Sequence, residues 1–265
     1  MKGRVLIIAG SDSGGGAGIQ ADIKAVTCLG GFAATAITAL TAQNTQGVFG
    51  IHSVPTEFIR QQIALVLTDI GADCLKTGML SSAAIIDAVA DELAAQAQSI
   101  PLVVDPVMVA KGGAALLQDE AVASLRIRLL PRATLLTPNL PEAEVLTGLS
   151  IIDPDGMERA GTALLDLGPK AVLVKGGHLD GDVVTDLLVW QGGSARFSGP
   201  RIATRSTHGT GCTLASAIAT GLAQGLAMEP AVARARAYVR KAIETAPGFG
   251  TGHGPLNHGH TVVAF

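Results

Sequence analysis

The chain has 265 residues, 48% of them apolar and 15% charged, which supplies a large core and excludes a disordered segment. Its formal net charge is −3 with no basic cluster, and its aromatics are one Trp, one Tyr and six Phe, so nucleic acid is disfavoured as a partner. Cys28, Cys74 and Cys212 form no CxxC pair and are odd in number, which fits a reducing, cytoplasmic setting.

In chain order, Val5–Ala9 reads as a buried strand. Five apolar residues behind Lys2 and Arg4 are too few for a signal peptide, and no run approaches the ~18 residues of a membrane span. A helix over Ile19–Leu29 follows a glycine-rich loop, then a strand over Ala34–Leu40 and a helix over Thr56–Thr68. Cys74–Lys76 and Leu102–Val104 read as strands on either side of a helix at Ala83–Gln96, which Ser81 or Ser82 can cap. Helices at Glu120–Leu129, Glu142–Leu146 and Gly156–Leu167 alternate with strands at Thr134–Leu136 and Ala171–Val174, with Pro141 placed in the first turn of the second. Val183–Trp190 and Ala195–Phe197 form a hairpin through Gly192-Gly193, and two helices, Thr213–Leu226 and Glu229–Ala246, close the chain.

Strands alternating with helices predict an α/β fold with a mostly parallel sheet covered on both faces. No linker, repeat or low-complexity segment divides the chain, so one domain over residues 1–265 is expected. Ligands in such folds sit beyond the carboxyl ends of the strands. The polar and glycine-rich clusters fall there, among them residues 10–18, 41–46, 77–79, 105–113, 137–142 and 175–178.

The segment Ser206-Thr-His-Gly-Thr-Gly-Cys-Thr213 opens a helix of small apolar residues. First-turn amides lack intrahelical partners, so Gly209, Thr210, Gly211 and Cys212 can hold an anion, and the helix dipole is expected to lower the Cys212 thiol pKa. A tight capping turn with a small buried cysteine is the plainer alternative.

Gly16-x-Gly18-x-x-Ala21 superficially matches a dinucleotide fingerprint, but the next strand ends in Thr41-Ala-Gln43-Asn44 without the acid that binds ribose. The loop is instead expected to lie close to a small substrate, with Asp22 pointing into the cleft or standing as a solvated first-turn carboxylate. Gln43 can pair through its amide with an exocyclic amine beside a ring nitrogen, or cap its loop. Asp105 and Glu142 stand at strand ends as oxygen ligands for Mg²⁺ or as solvated acids. Lys175 is placed to neutralise a transferring phosphate, or is an exposed strand end. His253, His258 and His260 lack Cys/His metal spacing and fit a structural or cleft-lining tail. The glycine-rich residues 111–114 and 176–181 are candidate lids.

Taken together, AGSDSGGGAGIQADIK (9–24), ITALTAQNTQG (37–47), KTGML (76–80), VDPVMVAK (104–111), LLPRATLLTPNLPE (129–142), VKGGH (174–178), THGTGCT (207–213) and GHGPLNH (252–258) resemble the hydroxymethylpyrimidine/phosphomethylpyrimidine kinases of thiamine biosynthesis. These belong to the ribokinase superfamily, and the segments occur in family order along the whole chain. The resemblance implies a ribokinase-like three-layer α/β/α sandwich, a homodimer, ATP with Mg²⁺, and two phosphorylations of an aminopyrimidine. It implies that Gly10, Asp22 and Gln43 bind the pyrimidine while Met79 and Val107 pack on its ring. Asp105 and Glu142 would organise Mg²⁺, Asn139 and Lys175 would contact nucleotide phosphates, and Gly209–Cys212 would form the anion hole. Sugar kinases of the superfamily carry an aspartate base where this chain has Cys212, so the base is open. If Cys212 takes the hydroxymethyl proton, its removal slows the first phosphorylation far more than the second, whose acceptor is already ionised. A pyridoxal kinase and a non-catalytic pyrimidine- or nucleotide-binding regulator are the competing readings.

Overall fold

A computed structural model describes residues 1–108 and 119–263. The expected lid at residues 111–114 lies outside the described residues. Six strands run parallel: β1 (Arg4–Ala9), β2 (Phe32–Ile37), β5 (Cys74–Thr77), β6 (Leu102–Val104), β7 (Leu135–Leu136) and β8 (Ala171–Val174). The hairpin β9 (Val183–Trp190) and β10 (Gly193–Pro200) extends this sheet antiparallel, in the order β10-β9-β8-β7-β6-β5-β1-β2.

Strand alternation sorts the core into two layers. On β1, Leu6 and Ile8 face a cluster with Ile59 and Ile63 of α2 (Thr56–Leu65) and with Ile86 and Leu93 of α3 (Ala83–Gln96). Met157 and Leu164 of α6 (Pro154–Leu165) join that cluster, as does Leu146 of α5 (Leu140–Thr147). The intervening Val5, Ile7 and Ala9 face the other layer, built by Val26 of α1 (Gly18–Cys28), Ile218 of α7 (Thr210–Ala223) and Val232 of α8 (Met228–Glu244). The sheet is therefore sandwiched between helices, as the alternation predicted. Ser82 Oγ accepts from Ile85 N–H and caps α3, and Pro141 lies in the first turn of α5.

Three elements depart from the sequence reading, one of them the helix expected at Thr56–Thr68, which is α2 followed by a π turn over Val66–Ile70. The strand expected over residues 34–40 breaks at Thr38, which is fully buried and turns the chain out of the sheet. Its N–H donates to Ala9 O and its hydroxyl to Met79 O at 2.7 Å. Beyond it, β3 (Ala39–Asn44) and β4 (Gly47–Ser53) form a separate two-stranded sheet that the sequence reading missed. A bulge between Ala42 and Gln43 shifts the register and re-aims Gln43. The helix expected at Glu120–Leu129 is α4 (Asp119–Ser124) followed by a π turn over Leu125–Leu129. Among the described residues, no helix is long and apolar enough to cross a membrane.

Candidate active site

The carboxyl ends of β1, β5, β6, β7 and β8 open into one cavity of about 1090 Å³. Gly10, Gln43, Met79 and Val107 line one part of it. Asp105, Asn139, Glu142 and Lys175 form the floor, and Gly209, Thr210, Gly211 and Cys212 bring the start of α7 to the same space. The remaining wall lies between β10 and α8, where Phe197, Ile202, Ala237 and Ile243 make an apolar slot beside Arg236 and Arg240.

The α7 turn has the geometry of an anion cradle. Gly209 caps the helix at φ 80°, where a Cβ would collide with Gly16 O, so only glycine fits. Helical bonding begins with Thr213 N–H donating to Gly209 O at 2.9 Å, so the amides of Gly211 and Cys212 precede the ladder. Lys175 Nζ stands 3.2 Å from the position a Gly211 Cβ would take, and Asp105 Oδ2 stands 3.8 Å from it. The helix end is thus faced by a lysine and a carboxylate.

On the floor, Lys175 Nζ is 3.0 Å from Asp105 Oδ1 and 3.9 Å from Glu142 Oε2. Thr137 Oγ1 donates to the same Asp105 oxygen, and the Asn139 N–H donates to Glu142 Oε2 at 2.7 Å. Asn139 Oδ1 accepts from the Glu142 N–H, closing a capping box on α5. Burial pushes the Glu142 carboxyl up to about 7; Lys175 opposes this and Asp105 adds to it. Two carboxylates share one ammonium, a charge deficit that fits a hard divalent cation bound through oxygen.

Asp22 departs from its expected place. It is fully buried behind the cavity wall, with Oδ2 at 2.8 Å from Lys76 Nζ and Oδ1 accepting from Ser216 Oγ of α7. Its position on the α1 stripe of Ile19, Ala25 and Val26 explains the burial. Lys76, fully buried on β5, lines the cavity and was not singled out from the sequence. A lysine directly after Cys74 and Leu75 within a short buried strand was the available signal, because such an ammonium requires a buried acid.

Cys212 also departs from expectation. The dipole argument predicted a lowered thiol pKa, but burial raises it to about 12. Lys76 and the Gly18 N–H favour the thiolate, while Asp22 and Asp105 oppose it. Burial, with the carboxylates adding to it, overrides the helix end and leaves a neutral thiol. Two of the tail histidines brace the fold through their rings: His258 Nε2 meets Thr213 Oγ1 at 2.9 Å and His260 Nε2 meets Tyr238 O at 3.0 Å. At the expected second lid, Arg201 donates to the carbonyls of Gly177, Leu179 and Gly181.

A parallel sheet with a glycine-lined helix end, a floor lysine and two carboxylates defines a small-molecule kinase of the ribokinase-like fold. The model of the phosphomethylpyrimidine kinase family matches residues 12–257, and the chain belongs to that family. The chain is 54% identical over 257 residues to the thiamine biosynthesis bifunctional protein of Geobacter sulfurreducens, covering 97% of itself and 52% of that protein. It thus spans about half the length of that curated relative. It is 48% identical over 256 residues to the hydroxymethylpyrimidine/phosphomethylpyrimidine kinase of Bacillus subtilis, covering 96% and 94% of the two chains. The solved phosphomethylpyrimidine kinase of Clostridium difficile superposes with a TM-score of 0.82 at 44% identity, over 91% of this chain and all of that one. A Bacillus subtilis pyridoxal kinase solved as an ADP complex gives 0.89 at 33% identity, over 97% and 98%.

The opposing effects of Lys76 and Asp22 on the thiol yield a prediction. Asp22→Asn should lower the Cys212 titration midpoint well below about 12, because an unpaired Lys76 ammonium then faces the sulfur. The rate of iodoacetamide alkylation at the Cys212 peptide, followed by mass spectrometry against pH, checks this. An unmoved midpoint contradicts it.

Proposed function

We propose that the chain, acting over residues 1–265 as one kinase domain, transfers the γ-phosphoryl group of ATP to 4-amino-5-hydroxymethyl-2-methylpyrimidine and then to its monophosphate. The observation that carries this reading is the single cavity shared by Gln43, Met79 and Val107 on one side and by the α7 cradle on the other. The pyrimidine takes the first part, with its amino edge on Gln43 and its ring against Met79 and Val107. Gly10 lets it approach the backbone, since a Cβ there would collide with Met79 Cε. ATP takes the slot between β10 and α8, with its phosphates reaching Asn139, Lys175, Gly209 and Gly211.

Catalysis in this reading is positioning and charge stabilisation. The amides of Gly211 and Cys212 hold the charge that develops on the transferring group, beside Gly209 and Thr210 of the same turn. Lys175 neutralises phosphate oxygens from the floor. Asp105 and Glu142 are the residues that would hold Mg²⁺, which when bound screens the phosphate charge and orients the nucleotide. Asp22 acts from behind the wall by fixing Lys76 rather than by touching the substrate. The reading places the protein in the reducing cytoplasm, where its three thiols stay free.

A homodimer is part of the proposal. On β3, Thr41 and Gln43 line the cavity while Leu40 is 46% exposed, and on β4 Phe49 and Ile51 are 71% and 46% exposed. These exposed apolar side chains of the two-stranded sheet are suited to a second copy. Phe49→Glu is expected to yield a monomer in sedimentation velocity; an unchanged dimer rejects this sheet as the contact.

Side-by-side turnover with Mg-ATP and the aminopyrimidine, its monophosphate or pyridoxal tests the function. Higher kcat/KM for both pyrimidines supports the reading, and higher kcat/KM for pyridoxal supports a pyridoxal kinase. Binding without ADP formation supports a regulator. Because the Cys212 thiol is neutral, Cys212→Ala is expected to slow both phosphorylations by similar factors. A loss confined to the first step, in separate turnover assays, restores the sulfur as a base. Lys175→Met is expected to lower kcat/KM by about 10²- to 10³-fold in the same assays.

A further inference from the structure

His208 joins four segments of the site. Its N–H donates to Gly254 O at 3.1 Å, and it forms a parallel bridge with Pro255 of the tail. Its Nε2 lies 2.8 Å from Asp12 Oδ2 in the glycine-rich loop and 3.3 Å from the Gln43 amide on β3. A Cβ on Gly16 would collide with His208 Cδ2, so the ring lies directly against that loop. Both partners are buried, Asp12 at 2% and His208 at 7% exposure.

Hydrogen-bond counting fixes the protons in this cluster. Asp12 accepts the amides of Gly14, Gly16 and Ala17 at 2.8, 3.0 and 2.8 Å, which holds it as a carboxylate. Two lone pairs repel at 2.8 Å, so His208 Nε2 carries the hydrogen and donates to Asp12. An NH₂ group beside that N–H would set donor against donor. The Gln43 end facing His208 is therefore the carbonyl oxygen, which at 3.3 Å takes the longer branch of a forked bond from the one Nε2 hydrogen.

The opposite end of the amide gives the same answer. Thr41 Oγ1 donates its one hydrogen to Ser11 O at 2.9 Å. It can then only accept from Gln43, 3.2 Å away, so that end is the NH₂. The structure has Nε2 toward His208 and Oε1 toward Thr41. A half-turn of the carboxamide exchanges the two atoms without changing its shape, and the network selects the exchanged form.

We propose that His208, backed by Asp12, is a positioning residue for substrate recognition that holds the Gln43 carbonyl toward itself and the NH₂ toward Thr41. The amide then keeps one lone pair and one hydrogen for a ligand. That ordered acceptor–donor pair matches the amino group and adjacent ring nitrogen of a 4-aminopyrimidine. The proposal rests on the reading that Gln43 meets the pyrimidine.

Steady-state kinetics of three variants test it. His208→Leu should raise KM for the aminopyrimidine about 10- to 100-fold, the worth of one well-placed amide pair. Its kcat and its KM for Mg-ATP should move less than about threefold. His208→Gln, which keeps a donor near the Nε2 position, should recover most of the loss. Gln43→Leu should raise the same KM and lose discrimination against the analogue lacking the 4-amino group. A raised KM in Gln43→Leu with none in His208→Leu overturns the role of His208 alone; no change in Gln43→Leu overturns the Gln43 reading with it. Long-range ¹⁵N–¹H spectra of the unmutated protein give an answer independent of folding. An Nε2–H tautomer at His208 supports the proposal, and an Nδ1–H tautomer overturns it.

Discussion

The close approach of two backbones, at Gly16 and Gly209, is the constraint on which the site depends. A side chain at Gly209 would strike the Gly16 carbonyl, and the 80° φ there is itself costly for any residue but glycine. This contact presses the loop before α1 against the loop before α7. The two helix starts thereby meet, and the Gly18 amide reaches the sulfur of Cys212. Both helix dipoles then point their positive ends at one space. Asp12 and His208 stitch the same two loops together through side chains.

Buried charge supports this arrangement from beneath. Asp22 and Lys76 sit fully buried between α1 and β5, and Ser216 ties them to α7. Nearer the cavity, Asp105, Glu142 and Lys175 carry two acids against one base. The inner pair is neutral overall and fixes geometry, whereas the outer group is short of positive charge and suited to receive a cation. The distinction between structural and reactive charge follows from pairing, because an unmatched buried charge is expensive and a matched one is tolerated.

Much of this was legible in the chain. Val5–Ala9, Leu102–Val104 and Ala171–Val174 are short apolar runs that end at glycine, aspartate or lysine, and each became a parallel strand ending at the cavity. The helix start at Gly209–Cys212 was legible because a glycine-rich turn there opens a run of small apolar residues. The β3–β4 sheet was not, since its apolar residues Leu40, Phe49 and Ile51 stay exposed and leave no core periodicity. Asp22 and Cys212 were misjudged for a shared reason. First-turn position is a local property, but desolvation depends on which distant segments close over the group. Lys76 comes from 54 residues away to meet Asp22, and local patterning says nothing of that meeting.

The account's central claim is that the first amides of α7 receive the transferring phosphate. Backbone ¹H–¹⁵N resonances of Gly211 and Cys212, followed while a non-hydrolysable Mg-ATP analogue is titrated, test this most directly. The account predicts that these two amides shift strongly together and become protected from exchange with water. If they stay fixed while residues of the β10–α8 slot respond, the nucleotide binds without engaging the helix end, and the account is wrong.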